Sequence, residues 1–140
     1  MKYRIADQKD YQSLAELNHQ LIKDEGHRCK LSVDGLAKRM RELEAEGYKA
    51  VIFEEDGEII AYGMYIEHED KIYLRQFFVQ RNKRRMGHGK KAMSIFMNEI
   101  WPKDKRLTVE VLVNNKSAYE FWKSLGYIEY SIELEIIRDK

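Results

Sequence analysis

Between residues 81 and 91 the chain sets Arg81, Lys83, Arg84, Arg85, Lys90 and Lys91 around two glycines, Gly87 and Gly89. Six cations in eleven residues suit one chemistry above others, the binding of phosphate. Glycines let the backbone approach a ligand closely and point successive N–H groups at it. A helix beginning there adds unpaired donors and the positive end of its dipole. Such a helix is predicted: Ala92, Met93, Phe96, Met97, Ile100 and Trp101 recur at three- and four-residue spacing, giving one apolar face. On the other side, residues 72–79 (IYLRQFFV) are rich in aromatic and β-branched types and predict a mostly buried strand. A strand therefore runs into a basic glycine turn that opens a helix.

Three patterns compete for this turn. A Walker loop needs glycine where Arg84 stands and Ser or Thr where Lys91 stands, so it is excluded. Gly87-His88-Gly89-Lys90-Lys91-Ala92 fits the dinucleotide fingerprint G-x-G-x-x-A, with Glu110 about the right distance downstream. That fingerprint turns directly off its strand, however, whereas Gln80 to Met86 intervene here. The third pattern, Q/R-x-x-G-x-G/A, is met by Arg84, Gly87 and Gly89. A second stretch follows a predicted strand over residues 107–113: Asn115, Ala118, Phe121, Trp122, Gly126 and Tyr127 fit N-x-x-A-x-x-[LF]-[YW]-x-x-x-G-[FY]. With both stretches in this order, separated by one helix and one strand, the sequence resembles the GNAT superfamily of N-acetyltransferases. The motifs cover roughly residues 72–127.

The elements that must position these residues follow from periodicity. Residues 3–6 predict a short strand, and Asp7 or Asp10 caps a helix with Tyr11, Leu14, Leu17, Leu21 and Ile22 inward, ended by Gly26. Ser32 caps a second helix, which Gly47 closes. Residues 48–53 and 59–66 predict a hairpin around Asp56-Gly57, and residues 68–71 turn into the strand that feeds the basic loop. Pro102 stops the third helix, the strand after it should lie parallel to its predecessor, and residues 127–137 alternate as a long final strand. The order β-α-α-β-β-β-α-β-α-β predicts an α/β fold with a mixed central sheet and helices on both faces, which is also the GNAT (acyl-CoA N-acyltransferase) fold. With 140 residues and no linker or repeat, residues 1–140 read as a single domain.

Composition removes several classes of function. A net charge of +1 makes the basic cluster local and the whole molecule no polyanion binder. One cysteine, Cys29, allows no internal disulfide and fits a reducing compartment. No apolar signal core or membrane-length run is present, so the expectation is a cytoplasmic protein without membrane partners. The four histidines lack metal-ligand spacing, and no metal is expected.

The resemblance implies acetyl-CoA as cosubstrate. Arg84, Arg85, Met86, Gly87, His88, Gly89 and Lys90 would hold its pyrophosphate, and main-chain groups of Phe77, Phe78 and Val79 its pantetheine arm. Asn115 matches an asparagine that contacts the cofactor, although its place also suits a helix N-cap. Trp122 stands where many members carry a tyrosine that protonates the departing thiolate; an indole N–H cannot do so. Tyr119, three residues earlier on the same helix face, is either the replacement acid or a packed aromatic. Glu110 interrupts an otherwise apolar strand. It is either the base that removes the amine's proton, as the resemblance to the ribosomal-protein alanine acetyltransferase branch implies, or an outward residue paired with a cation. His27, Tyr65, Glu67 and His68 are weaker acceptor-side candidates.

Two other functions stand beside amine acetylation. Trp122 makes a non-catalytic CoA-binding sensor conceivable on the same fold. Nucleic-acid binding through residues 81–91 ranks last, because no aromatics interleave with the cations. The acceptor is expected to be a small-molecule or protein amine, and the chain a monomer or homodimer.

Overall fold

In a computed structural model the chain is described for residues 1–84 and 86–138. β1 (Lys2–Ile5) leads into a 3-10 turn, Gln8–Asp10, closed by reciprocal capping. Asp7 accepts from the Lys9 N–H at 2.9 Å, and Asp10 from the Asp7 N–H at 2.9 Å. α1 (Tyr11–Glu25) follows and stops at Gly26, which is left-handed at φ 67°. α2 (Val33–Ala45) starts at Ser32, whose hydroxyl accepts from the Gly35 N–H at 3.1 Å. β2 (Lys49–Glu55) and β3 (Glu58–Glu67) form the predicted hairpin, with Asp56 and Gly57 both at positive φ as a two-residue turn demands. β4 (Lys71–Val79), α3 (His88–Ile95), β5 (Arg106–Val109) and α4 (Lys116–Ser124) complete the order.

The five strands lie in sequence order, antiparallel except for the parallel pair β4 and β5. The sheet separates two apolar clusters. Tyr11, Leu14, Leu36 and Met40 of α1 and α2 pack on one face against Ile52, Tyr62, Met64 and Phe78. On the other, Met93 and Phe96 pack with Phe53, Ile60, Leu74 and Trp122. Met64 opposes Gln76 and Tyr65 opposes Leu74, so Arg75 is an extra residue in β4, a bulge that switches which side chains face which cluster.

The structure corrects two expectations. The third helix is α-helical only to Ile95 and then widens to a π-helix, Phe96–Ile100, where the Trp101 N–H reaches back to the Phe96 carbonyl at 2.8 Å. The Phe96 and Trp101 rings stack at 4.5 Å across that wider turn. More importantly, the final β of the predicted order does not form: residues 127–138 join no ladder, and the fold ends β-α-α-β-β-β-α-β-α. Alternation is a property of side chains, whereas a strand needs a backbone edge to bond, and this tail meets none.

Candidate active site

β4 is bonded to β3 over most of its length, but to β5 only from Lys71 through Leu74. Beyond Leu74↔Val109 the two parallel strands part. The β5-facing edge of Arg75 to Val79 is left unpaired just before the basic turn. Free strand-edge groups of this kind can pair with an extended chain that carries amides.

At the far end of that edge the loop folds back on itself. Arg84 Nε donates to the Val79 carbonyl at 2.9 Å, and its guanidinium lies 5.3 Å over the Phe78 ring. Asp24, in the last turn of α1, accepts from Arg84 at 2.7 Å and from Arg81. Burial alone would raise the Asp24 carboxyl, yet the two guanidiniums and Gln20 hold it down at about 2. Arg84 is thus a brace that fixes the turn against β4 and α1.

Gly87 caps α3 in the left-handed region at φ 80°, a conformation that costs any residue with a Cβ. The first helical bond runs from the Lys91 N–H to the Gly87 carbonyl at 3.0 Å, so the N–H groups of His88, Gly89 and Lys90 point out of the helix end by geometry. Met86, Gly87 and Lys90 are exposed around them. Gly89 has a second reason to be glycine, since a Cβ there would stand 3.1 Å from the Phe121 ring of α4. His88 sends its side chain inward. Nδ1 meets the Lys83 carbonyl at 3.0 Å and Nε2 meets Glu55 at 3.3 Å, so only its main chain faces the helix end. Arg85 lies outside the described residues.

α4 closes the other side. Asn115 caps it, accepting from the Ala118 N–H at 3.1 Å. Phe121 stacks on Phe77 at 5.9 Å, and Trp122 is buried edge-on to Phe77, Phe121 and Tyr127. Tyr119 is exposed, and its hydroxyl donates to Glu129. That bond raises the phenol pKa.

Glu110 lies one residue past β5, exposed, on the α1 and α2 face of the sheet, where it accepts from the Tyr73 hydroxyl. Its partner is therefore a tyrosine and not a cation. Burial, then the Glu110 carboxylate, raise the Tyr73 phenol, so it stays a donor at neutral pH.

The structure does not bring three of the weaker candidates, Tyr65, Glu67 and His68, to this place. Tyr65 is buried on the opposite face against Phe96 and Trp101. Glu67 and His68 sit at the β3–β4 turn, where Lys105 binds the Glu67 carboxylate at 2.6 Å and the His68 carbonyl at 2.8 Å. They are separated from the basic turn by roughly 25 Å of strand. These three residues line a concavity of about 410 Å³ at that far end. His27 is exposed in the α1–α2 loop, its Nδ1 accepting from the Cys29 N–H at 3.1 Å.

Three residues that sequence reasoning passed over belong to the site. Asp24 and Tyr73 hold the loop and Glu110. Glu25 sits beside Asp24; burial, then the Asp24 charge, raise its carboxyl, and it acts electrostatically on the buried Tyr62, which donates to Gln76 of β4 at 2.8 Å. Asp24 and Glu25 did carry a signal. Two carboxylates in the last helical turn oppose the dipole and imply tertiary partners.

Known proteins match this chain in sequence profile and in overall fold. The sequence profile of the Acetyltransferase (GNAT) family matches residues 12–127. The chain belongs to that family. Among curated proteins none matches in sequence. Solved structures share the fold. The apo aminoglycoside antibiotic 6'-N-acetyltransferase of Acinetobacter haemolyticus superposes with a TM-score of 0.76 at 18% identity, over 100% of this chain and 99% of that one. The ribosomal-protein-alanine N-acetyltransferase of Brucella melitensis biovar Abortus 2308 gives 0.75 at 12% identity, over 99% and 98%. A Clostridium acetobutylicum protein, described as a predicted acetyltransferase and solved with acetyl-CoA, gives 0.74 at 20% identity, over 97% and 95%. Among the described residues of this GNAT chain no helix is long and apolar enough to cross a membrane, and no cluster of His, Cys, Asp and Glu could hold a metal ion.

Proposed function

We propose that this GNAT protein transfers an acetyl group from acetyl-CoA directly to a primary amine. The observation that carries the reading is the opening between β4 and β5. An unpaired strand edge leads there from the glycine-capped start of α3 toward the Glu110 carboxylate. The residues present fit the cosubstrate. The N–H groups of His88, Gly89 and Lys90 suit a pyrophosphate, with Lys90 and Lys91 beside them. The edge of Phe77, Phe78 and Val79 suits an amide-bearing arm. Bound acetyl-CoA supplies an activated thioester carbonyl.

The chain's own residues then have three tasks. Glu110, hydrogen-bonded to Tyr73, takes the proton from the incoming ammonium and so exposes the amine's lone pair. An unpaired N–H of the β4 edge would be available to the oxygen on which negative charge develops. The departing thiol has a pKa near that of cysteine, roughly 8.5, so it needs little help to leave. Tyr119 must release Glu129 to serve as its acid, and the expected effect of Tyr119→Phe on kcat is below about tenfold.

The acceptor is a small-molecule or protein amine. Matching folds act on an aminoglycoside in one case and a ribosomal protein in another, so shape does not select between them. The test follows free thiol release from acetyl-CoA across a panel of amines, with product mass as a second readout. Glu110→Gln is expected to lower kcat by about 10²–10⁴ while leaving acetyl-CoA affinity within twofold or so. Glu25→Gln is the paired control, since its raised carboxyl makes it the second choice of base. Loss of turnover in that variant alone transfers the role to Glu25. Tight binding of acetyl-CoA with no turnover on any amine favours the sensor reading, to which the buried indole of Trp122 points.

A further inference from the structure

The side chain of Arg75, the residue that the bulge adds to β4, has no task in the steps of acetyl transfer. Strict alternation would put Arg75 and Gln76 on opposite faces of the sheet. The bulge keeps both on the α1 and α2 side, where Gln76 meets Tyr62 and Arg75 meets Tyr48. Tyr73 lies on that side as well, and its hydroxyl holds Glu110. Leu74↔Val109 is the last bonded pair of β4 and β5, so Arg75 and Glu110 come next on their strands. They are the first residues on the two lips of the opening, on one face and with opposite charges.

Arg75 is also half-buried and short of partners. Arg4, Arg81, Arg84 and Arg106 each meet a carboxylate, whereas among the described residues none pairs with Arg75. Its guanidinium donates to the Tyr48 hydroxyl at 3.4 Å, beyond the usual length of such a bond. It also lies 5.5 Å over the Tyr48 ring. Stacking of this kind fixes the plane of a guanidinium and leaves its N–H fork open to a planar anion. The Tyr73 phenol feels both charges. Burial, then Glu110, raise it, and the Arg75 charge acts in the opposite direction. A cationic fork with one long bond, partly withdrawn from water, suits an acceptor atom supplied from outside.

We propose that Arg75 binds a carboxylate carried by the acceptor, and that the acceptor is therefore a free amino acid. The proposal rests on the acetyl-transfer reading, because it needs Glu110 as the group that receives the amine's proton. An α-amino acid carries an ammonium and a carboxylate on one carbon, matching the two opposite charges that flank the opening. The guanidinium takes the carboxylate through paired N–H bonds and so holds the amine beside Glu110. A lysine side chain or the N-terminus of a protein brings no such anion. Either would cover Arg75 and leave its charge unpaired, which costs affinity.

The test compares each free amino acid with its α-amide as acceptor, by thiol release, in the wild type, Arg75→Met and Arg75→Lys. The amide keeps the amine and the side chain and loses the anion. Its amine is also less basic, so the quantity that decides is the change in the acid-to-amide ratio between proteins. In the wild type, kcat/KM for the best acid is expected to exceed that for its amide by about 10–100-fold, mostly through KM. Arg75→Met is expected to bring the ratio to within about threefold of one, and Arg75→Lys to leave it between the two. A thermal shift with acetyl-CoA shows that each variant is folded. Amides used as well as acids by the wild type, or a preference that Arg75→Met leaves intact, overturn the proposal. Both results leave acetyl transfer standing. Absence of turnover on every amine removes the two readings together.

Discussion

Asp24 lies at the negative end of the α1 dipole, an unfavourable place for a carboxylate, and it stays ionised because Arg81 and Arg84 close on it. Its folded pKa, about 2, is below the ordinary aspartate value. Its contribution to stability is therefore complete above about pH 4 and is lost as pH falls from there toward 2. Asp24→Asn is expected to lower stability at pH 7 and to flatten the decline between those limits, read by urea denaturation at successive pH values. Parallel curves for the two proteins across that window would show that the ion pairs contribute nothing. At this scale the sequence was informative where a residue type has one physical use. Gly87 was legible because only a left-handed cap demands glycine. Arg84 was legible as a member of a motif, but its bonding to Asp24 and Val79 was not, since nothing local relates residue 24 to residue 84. The side-chain bonds of His88 were not legible for the same reason, because Glu55 comes from a distant strand end.

Elements were legible wherever a local cap or turn announces them. Asp7, Ser32, Gly26, Asp56-Gly57 and Asn115 each mark a boundary that the structure keeps. The tail was misplaced because its alternation shows that it needs a partner without naming one. The π-helix was missed because its cause is a close approach of β3. Gly63 leaves the space into which Phe96 packs, and a Cβ at that glycine would stand 2.7 Å from two atoms of the Phe96 ring. Phe96 is also held by Phe53 and Trp101, so it has little room to retreat. Gly63→Ala is therefore expected to cost about 1–3 kcal/mol through overpacking, visible as a lower urea midpoint with an unchanged slope. A neutral result would mean that the Phe96–Ile100 turn relaxes to ordinary α-helix at no cost.

For the molecule as a whole, the basic turn is where the two halves of the core are tied. It follows β4 and opens α3 on one side of the sheet, and through Asp24 it grips α1 on the other. A dianionic ligand seated on the start of α3 would be bound by the folded chain alone and would stabilise both halves together. At a hundred times its dissociation constant, acetyl-CoA is expected to add about 2.7 kcal/mol, which for a domain of this size raises Tm by roughly 5–10 °C. Desulfo-CoA, which keeps the pyrophosphate, should reproduce most of that shift, and Gly87→Ala should abolish most of it by straining the helix cap. Raising salt from 0.1 to about 1 M shortens the screening length from roughly 10 to 3 Å and should shrink the shift, because Lys90 and Lys91 are exposed. A shift that Gly87→Ala leaves intact, or that salt leaves untouched, would place the ligand somewhere other than the start of α3.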